Sequence, residues 1–406
     1  MRLLASRRQF LARLLREPAA PSVRALTHGP KHHFFGYYGI CPWNQSGRLL
    51  VCLESEFQDH LPGFEEAAAV GVVDARGGEF RRVAETRAWN FQQGAMLHWN
   101  PRAPETEVLY NDRRGDDIIS VVLDVRTGRR RELPRAINGI SRDGRSGLCL
   151  TYGRLTRLRP VVGYVGARDP NPDEPHPDND GVFVMDLRSG ESRLVVSIGE
   201  VYRRLVKRHP ELKERHMWFN HTVFNTDGSR FFFLARTWTP APNRRLESAM
   251  FTVGRDGSDL REVIPFGKGV SHFEWRNQRE ILATFRLHDA EMKLVLFTDG
   301  KADYRVIGEG FLSGDGHPTF APDGERIAVD HNEGARLEKH LLLYDLRTSQ
   351  GRLLARFPMK EKRFMGGAVR CDLHPRWNRP GTAICVDALA AAAGTRQLHE
   401  TRGQAT

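Results

Sequence analysis

The stretch HTVFNTDGSRFFFLA, from His221 to Ala235, decides how this chain is read, because it recurs. It returns as HFEWRNQREILATF from His272, HPTFAPDGERIAVD from His317 and HPRWNRPGTAICVD from His374. In each copy a histidine stands three residues before an aromatic, a polar turn follows, and an apolar run of strand character comes next. The same anchor, turn and strand appear without the histidine at Trp43, Trp99 and Ile140, which makes seven copies with four marked.

Units that repeat a theme in this way stack or radiate, since one unit alone cannot bury its own apolar face. The anchors are Trp43, Trp99, Ile140, Phe224, Trp275, Phe320 and Trp377. A second β-rich run closed by an acidic or glycine turn follows most of them, as in VGVVDARGG from Val70, SVVLDVRTG from Ser120 and LLLYDLRTSQG from Leu341. Asp143-Gly144, Asp227-Gly228 and Asp323-Gly324 are turn pairs suited to tight antiparallel connections. The expected fold is all-β, a seven-bladed β-propeller of four-stranded antiparallel blades with a short helical insertion.

Length alone would divide 406 residues into two or three domains; the repeat makes residues 31–402 one domain. Residues 1–30 are expected to be an amphipathic or unstructured leader and 403–406 a tail. Two segments enlarge the ring, a polar loop over Arg168–Asp180 and an insertion over Ser197–His216. The insertion predicts one or two helical turns near Val201, Leu205 and Val206, limited by Pro210.

With 61 Lys plus Arg against 50 Asp plus Glu, the net charge is +11, so the surface favours anions. No basic stretch interleaved with aromatics and no zinc-finger or helix-turn-helix spacing is present, which weakens the nucleic-acid reading, while acidic sugars suit the same charge. The five cysteines include no CxxC pair, and Cys52, Cys149 and Cys385 fall on strands as small apolar residues. Reduced thiols point to the cytoplasm. The alternative is export through a degenerate twin-arginine signal at Ser6–Leu11, whose apolar segment Arg13, Arg16 and Glu17 interrupt. No run of apolar residues reaches membrane-spanning length, and a monomer is expected.

In a propeller the innermost strands line a central channel, so His221, His272, His317 and His374 converge on one volume. Neutral imidazoles gathered there suit Zn or Mn, with water or substrate completing the shell. Asp315 and Asn220 are candidate supporting residues, and Cys371 a candidate thiolate ligand. The competing expectation is that each histidine bonds only to its own blade.

The segments HHFFGYYGICPWNQSGRLLV, AWNFQQGAMLHWNP, YNDR, WFNHTVFNTDGSRFFFLAR, VSHFEWR, DGHPTFAPDG and RCDLHPRW resemble a family of bacterial propellers related to the oligogalacturonate lyases and ulvan lyases. The likeness runs roughly from His32 to Asp387. It implies a metal held mainly by histidines, and β-elimination on uronic-acid-containing glycans by His or Tyr with Arg. This chain departs from the pattern at Gly39, where an aspartate is common after the paired tyrosines, and in the bland alanine run of its last blade.

Elimination needs a cation to neutralise the uronate carboxylate and a base to take the neighbouring proton. The segment Tyr152–Tyr164 concentrates Tyr152, Arg154, Arg157, Arg159 and Tyr164. From it Arg154, Arg159 and Tyr164 are expected to contact the anion or move the proton, with His98 a further base. Tyr37, Tyr38, Gln92, Gln93, Asn111 and Arg113 are the expected substrate contacts. The alternative function is a non-catalytic propeller that binds an acidic glycan or a protein partner.

Overall fold

The repeated turns close hairpins. Gly144, Gly228 and Gly324 hold φ of +66°, +72° and +71°, a conformation in which a Cβ would clash. The aspartate before each glycine accepts the backbone N–H two residues on, from Arg145, Ser229 and Glu325. The structure, a computed structural model, describes residues 23–402 apart from Tyr38, 289–290 and 391–393.

Seven four-stranded antiparallel sheets form the ring. Their innermost strands are His32–Phe34, His98–Trp99, Ile137–Ile140, Met217–Phe224, Phe273–Trp275, Pro318–Phe320 and Arg376–Trp377, which define blades 1 to 7. In six blades the anchor residue ends the innermost strand; in blade 1, Trp43 instead bridges Leu50 beyond a break. Within that break the chain around Tyr37 is not paired in the sheet, which frees it to enter the axis.

Blade 7 is completed by the other end of the chain. Val23–Ala25 pairs with Arg396–Arg402 as its fourth strand. The ring therefore begins inside the segment 1–30 read as a leader, because the last blade supplies only three strands of its own. Ser6–Leu11 and the tail 403–406 lie outside the described residues.

Two α-helices occur among the described residues, α1 (Tyr152–Leu158) in blade 3 and α2 (Ile198–Leu205) between blades 3 and 4. The second follows the expectation, with Ser197 capping its start by accepting the Glu200 N–H at 3.0 Å. The first was not anticipated. Gly153 permits it, since a Cβ there would sit 1.8 Å from the Arg168 carbonyl oxygen of the polar loop. No helix among the described residues is long and apolar enough to cross a membrane.

The apolar cores join neighbouring blades, and the anchors explain why. Trp99, Trp275 and Trp377 each donate the indole N–H to the preceding blade, to the carbonyls of Pro42, Val223 and Thr319 at 2.6, 3.0 and 3.2 Å. Each acceptor immediately precedes that blade's own anchor, so one bond is reused around the ring. Trp377→Ala would remove this bond and leave a cavity against Ile384 and Ala321. It should lower stability by about 3–5 kcal/mol, measured by equilibrium denaturation; a change under about 0.5 kcal/mol would take Trp377 out of the core.

Candidate active site

The four marked histidines meet. Ring centroids lie 3.9 Å apart for His272 and His317, and 4.4 Å for His317 and His374. The Tyr37 ring stands 5.1, 5.7 and 4.9 Å from those of His221, His317 and His374. His221 and His374 hold φ of +57° and +44°, and Met96, at the equivalent position of blade 2, holds +50°. The shared conformation belongs to the blade and not to one side chain, since an apolar methionine adopts it too.

The imidazoles have different partners. The His317 Nδ1 faces Asp330, whose carboxylate oxygens are 2.9 and 3.0 Å away. The His272 Nδ1 pairs with Asp315 Oδ1 at 2.6 Å. Asp315 was expected beside His317, two residues away; it reaches across blades instead. His221 Nε2 accepts from Arg236 Nη1 at 3.3 Å, which leaves the proton on Nδ1, where the Gln93 side-chain amide stands 3.2 Å away. Burial, then the Arg236 charge, hold His221 well below the usual histidine range, so its ring is neutral. His374 is fully buried, and neither ring nitrogen has a hydrogen-bond partner.

Beside these rings opens a cleft of about 460 Å³ lined by Tyr37, Gln92, Arg159, Arg236, Arg286 and Arg370, together with His221, His272 and His317. The arginines come from separate blades. Arg159 is delivered just past the end of α1 and held near the Trp238 ring, 5.5 Å from its centroid. Burial, helped by the Arg370 charge, lowers its guanidinium to about 10. The cleft's carboxylates are each matched by a nitrogen base. Asp372 Oδ1 takes Lys339 Nζ and Oδ2 takes Arg370 Nε, both at 2.6 Å. Although burial opposes its ionisation, the Arg370 and Lys339 charges keep Asp372 well below the usual carboxylate range.

Several expected residues stand elsewhere. Arg154 is buried and spends its guanidinium on the carbonyls of Met217, Asn171, Glu174 and Pro175 at 2.7–3.2 Å, tying down the loop Arg168–Asp180. Tyr164 is buried and stacks on Tyr152 with centroids 4.1 Å apart. Its hydroxyl accepts from Asn111 at 3.3 Å, and burial raises its pKa well above that of free tyrosine. Asn111 itself braces blades 2 and 3 through the Ile137 carbonyl at 2.7 Å. Arg113 lies on the rim, 3.6 Å over the Phe64 ring. His98 immediately precedes its anchor, where the marked histidines stand three before theirs, and it does not line the cleft. Burial, with the Arg376 charge adding, lowers His98 to about 4. Tyr38 lies outside the described residues.

A transition metal fits part of this cluster. Ligand atoms of His317, Asp372 and His374 lie within 4.8 Å of one another, all buried. The Asp330 contact leaves His317 Nε2 as the ligating nitrogen, the arrangement in which a carboxylate fixes the tautomer of a metal-bound histidine. The buried nitrogens of His374 without a hydrogen-bond partner point the same way. Cys371 does not join the set. Its thiol contacts the Asp387 carbonyl at 3.7 Å, and burial pushes it up to about 11.

Neither a protein-family model nor a curated protein sequence matches the chain. Solved structures do. An oligogalacturonate lyase in complex with manganese superposes with TM-score 0.64 at 14% identity, covering 94% of this chain and 93% of that one. An oligogalacturonate lyase from Vibrio parahaemolyticus gives 0.61 at 11%, covering 95% and 94%. Prolyl oligopeptidase B from Galerina marginata gives 0.54 at 11%, covering 92% of this chain but 49% of its own. The match to the lyases spans the whole ring, and at these identities it establishes a shared propeller fold.

Proposed function

We propose that the protein is a metal-containing lyase that cleaves uronic-acid-containing oligosaccharides by β-elimination. The observation that carries this reading is the convergence of Arg159, Arg236, Arg286 and Arg370 on a cleft shared with the carboxylate-supported histidines. The likeness of the fold to oligogalacturonate lyases, one of them holding manganese, supports it.

The chemistry asks for three things, and the cleft contains groups for each. A uronate carboxylate entering the cleft meets guanidinium groups in a partly dehydrated setting, where they stabilise the charge that builds up when the C5 proton leaves. His272, oriented through Nδ1 by Asp315, is our choice of proton acceptor, and in this reading His98 and Tyr164 do not touch the reacting atoms. As the proton moves to His272, the C4–C5 double bond forms and the C4–O bond breaks. The departing glycosidic oxygen is then protonated by solvent. His317 and His374, with Asp372, would hold Zn or Mn, which when bound supplies a Lewis acid for the same carboxylate. Tyr37 and Gln92 line the remaining wall as sugar contacts, and Gln93 acts on His221 from behind. All five cysteines are free and four are buried, which supports the cytoplasm as the compartment.

Protein purified without a histidine tag should contain Zn or Mn by elemental analysis and lose it in His317→Ala; metal-free protein that cannot be loaded would remove the metal from this reading. Incubated with oligouronides, the protein should generate the ultraviolet absorbance of an unsaturated uronate. Reducing ends without absorbance would make it a hydrolase, and tight binding without product a glycan-binding propeller. Arg159→Ala should lower kcat/KM by roughly 10²-fold through both terms, and His272→Ala should reduce kcat with little change in KM. Tyr164→Phe should keep turnover while losing about 1 kcal/mol of stability. Turnover abolished by Tyr164→Phe and kept by His272→Ala would return the proton transfer to Tyr164.

A further inference from the structure

His317 and His374 occupy equivalent places in blades 6 and 7, and the same step along the chain leads from each to an aspartate, Asp330 and Asp387. Both aspartates stand on the second strand of their blade. Pro318 pairs with Val329, which puts Asp330 opposite His317; Arg376 pairs with Cys385, which by the same antiparallel count puts Asp387 opposite His374. The first pair is closed, with His317 Nδ1 at 2.9 Å from Asp330 Oδ2. The second is open, with His374 Nδ1 at 4.0 Å from Asp387 Oδ1. Both residues are fully buried, and neither the Asp387 Oδ1 nor either nitrogen of His374 has a hydrogen-bond partner.

The rest of Asp387 is firmly held. Its Oδ2 accepts from Arg396 Nη2 at 2.8 Å, and Arg396, also fully buried, donates Nη1 to the Phe91 carbonyl at 3.1 Å. The other oxygen is therefore aimed at His374 by a clamp that reaches from blade 7 to the segment joining blades 1 and 2. A carboxylate buried at such cost, with one oxygen anchored and the other left facing an imidazole, is arranged to receive that imidazole's N–H.

We propose that Asp387, clamped by Arg396, is the positioning residue for His374. It accepts the Nδ1–H so that Nε2 is presented to the metal, as Asp330 does for His317. The inference rests on the metal reading above, and it concerns residues that do not themselves contact substrate. When His374 ligates, the Asp387–His374 gap closes to hydrogen-bond length.

Asp387→Asn tests it, because an asparagine has one oxygen. Arg396 takes that oxygen, and the amide N–H₂ left facing His374 cannot accept. Calorimetric titration of chelator-stripped protein with Mn²⁺ and with Zn²⁺ should show affinity lowered by roughly 10- to 100-fold in Asp387→Asn, with an unchanged circular dichroism spectrum. Equal affinity in the folded variant would overturn the proposal. Wild-type protein that binds neither ion would overturn the metal reading itself, a separate outcome. Should the variant not fold, a crystal structure of manganese-loaded wild-type protein decides. A His374 Nδ1 to Asp387 Oδ1 distance near 2.8 Å is expected, and one still at 4.0 Å would overturn the proposal.

Discussion

The site depends on one buried carboxylate. Asp330 Oδ1 accepts the His317 backbone N–H at 2.6 Å and faces His317 Nδ1, while Oδ2 accepts the backbone N–H groups of Leu373 and His374 at 3.1 and 3.3 Å. One side chain thus fixes the backbone of both histidine-bearing turns, in adjacent blades. Burial works against its charge, yet the His317 contact and the nearby Lys339 lower it to about 2. An ion that deep persists only when its oxygens are fully used. Asp330 meets that condition, and the spacing of the two imidazoles follows from it.

Position along the innermost strand separates two sets of residues. In blades 5 to 7 the marked histidine stands just before that strand, whereas the residue one before the anchor lies within it. The first position carries His221, His272, His317 and His374; the second carries His98, Glu274 and Arg376. Arg376 Nε donates to the Tyr37 carbonyl at 3.0 Å, which fastens the unpaired part of blade 1 to blade 7. His221, His272 and His317 line the cleft, and the second set does not.

The sequence made the ring legible because its signals are local. An anchor, an Asp-Gly turn and an apolar run lie within a few residues, and their repetition multiplies the evidence. The histidine cluster was legible for the same reason, through register. What the register also held was overlooked: Asp330 and Asp387 close two of the repeated copies, and Arg236 and Arg286 directly follow the other two. Arg154 and Tyr164 misled because closeness in sequence is not closeness in direction. α1 turns Arg154 inward toward the polar loop, and only Arg159, beyond the helix end, reaches the cleft. Asp372 was hidden beside Cys371, the residue with the more conspicuous metal chemistry. Its tie to Lys339 exists only once blades 6 and 7 are packed.

The closure of blade 7 also sets an order of assembly. His374, Asp387 and Arg396 are made hundreds of residues after Val23–Ala25, the strand that finishes the sheet carrying them. A nascent chain can build blades 1 to 6 from neighbouring segments as they emerge, each hairpin closing over a short loop. The last blade must wait for residue 402 and then recruit a strand hundreds of residues away. The set proposed to hold a metal, His317, Asp372 and His374, straddles blades 6 and 7, so a chain that stops before blade 7 carries a nearly complete ring with half of that set. Closure of blade 7 and competence of the site become the same event.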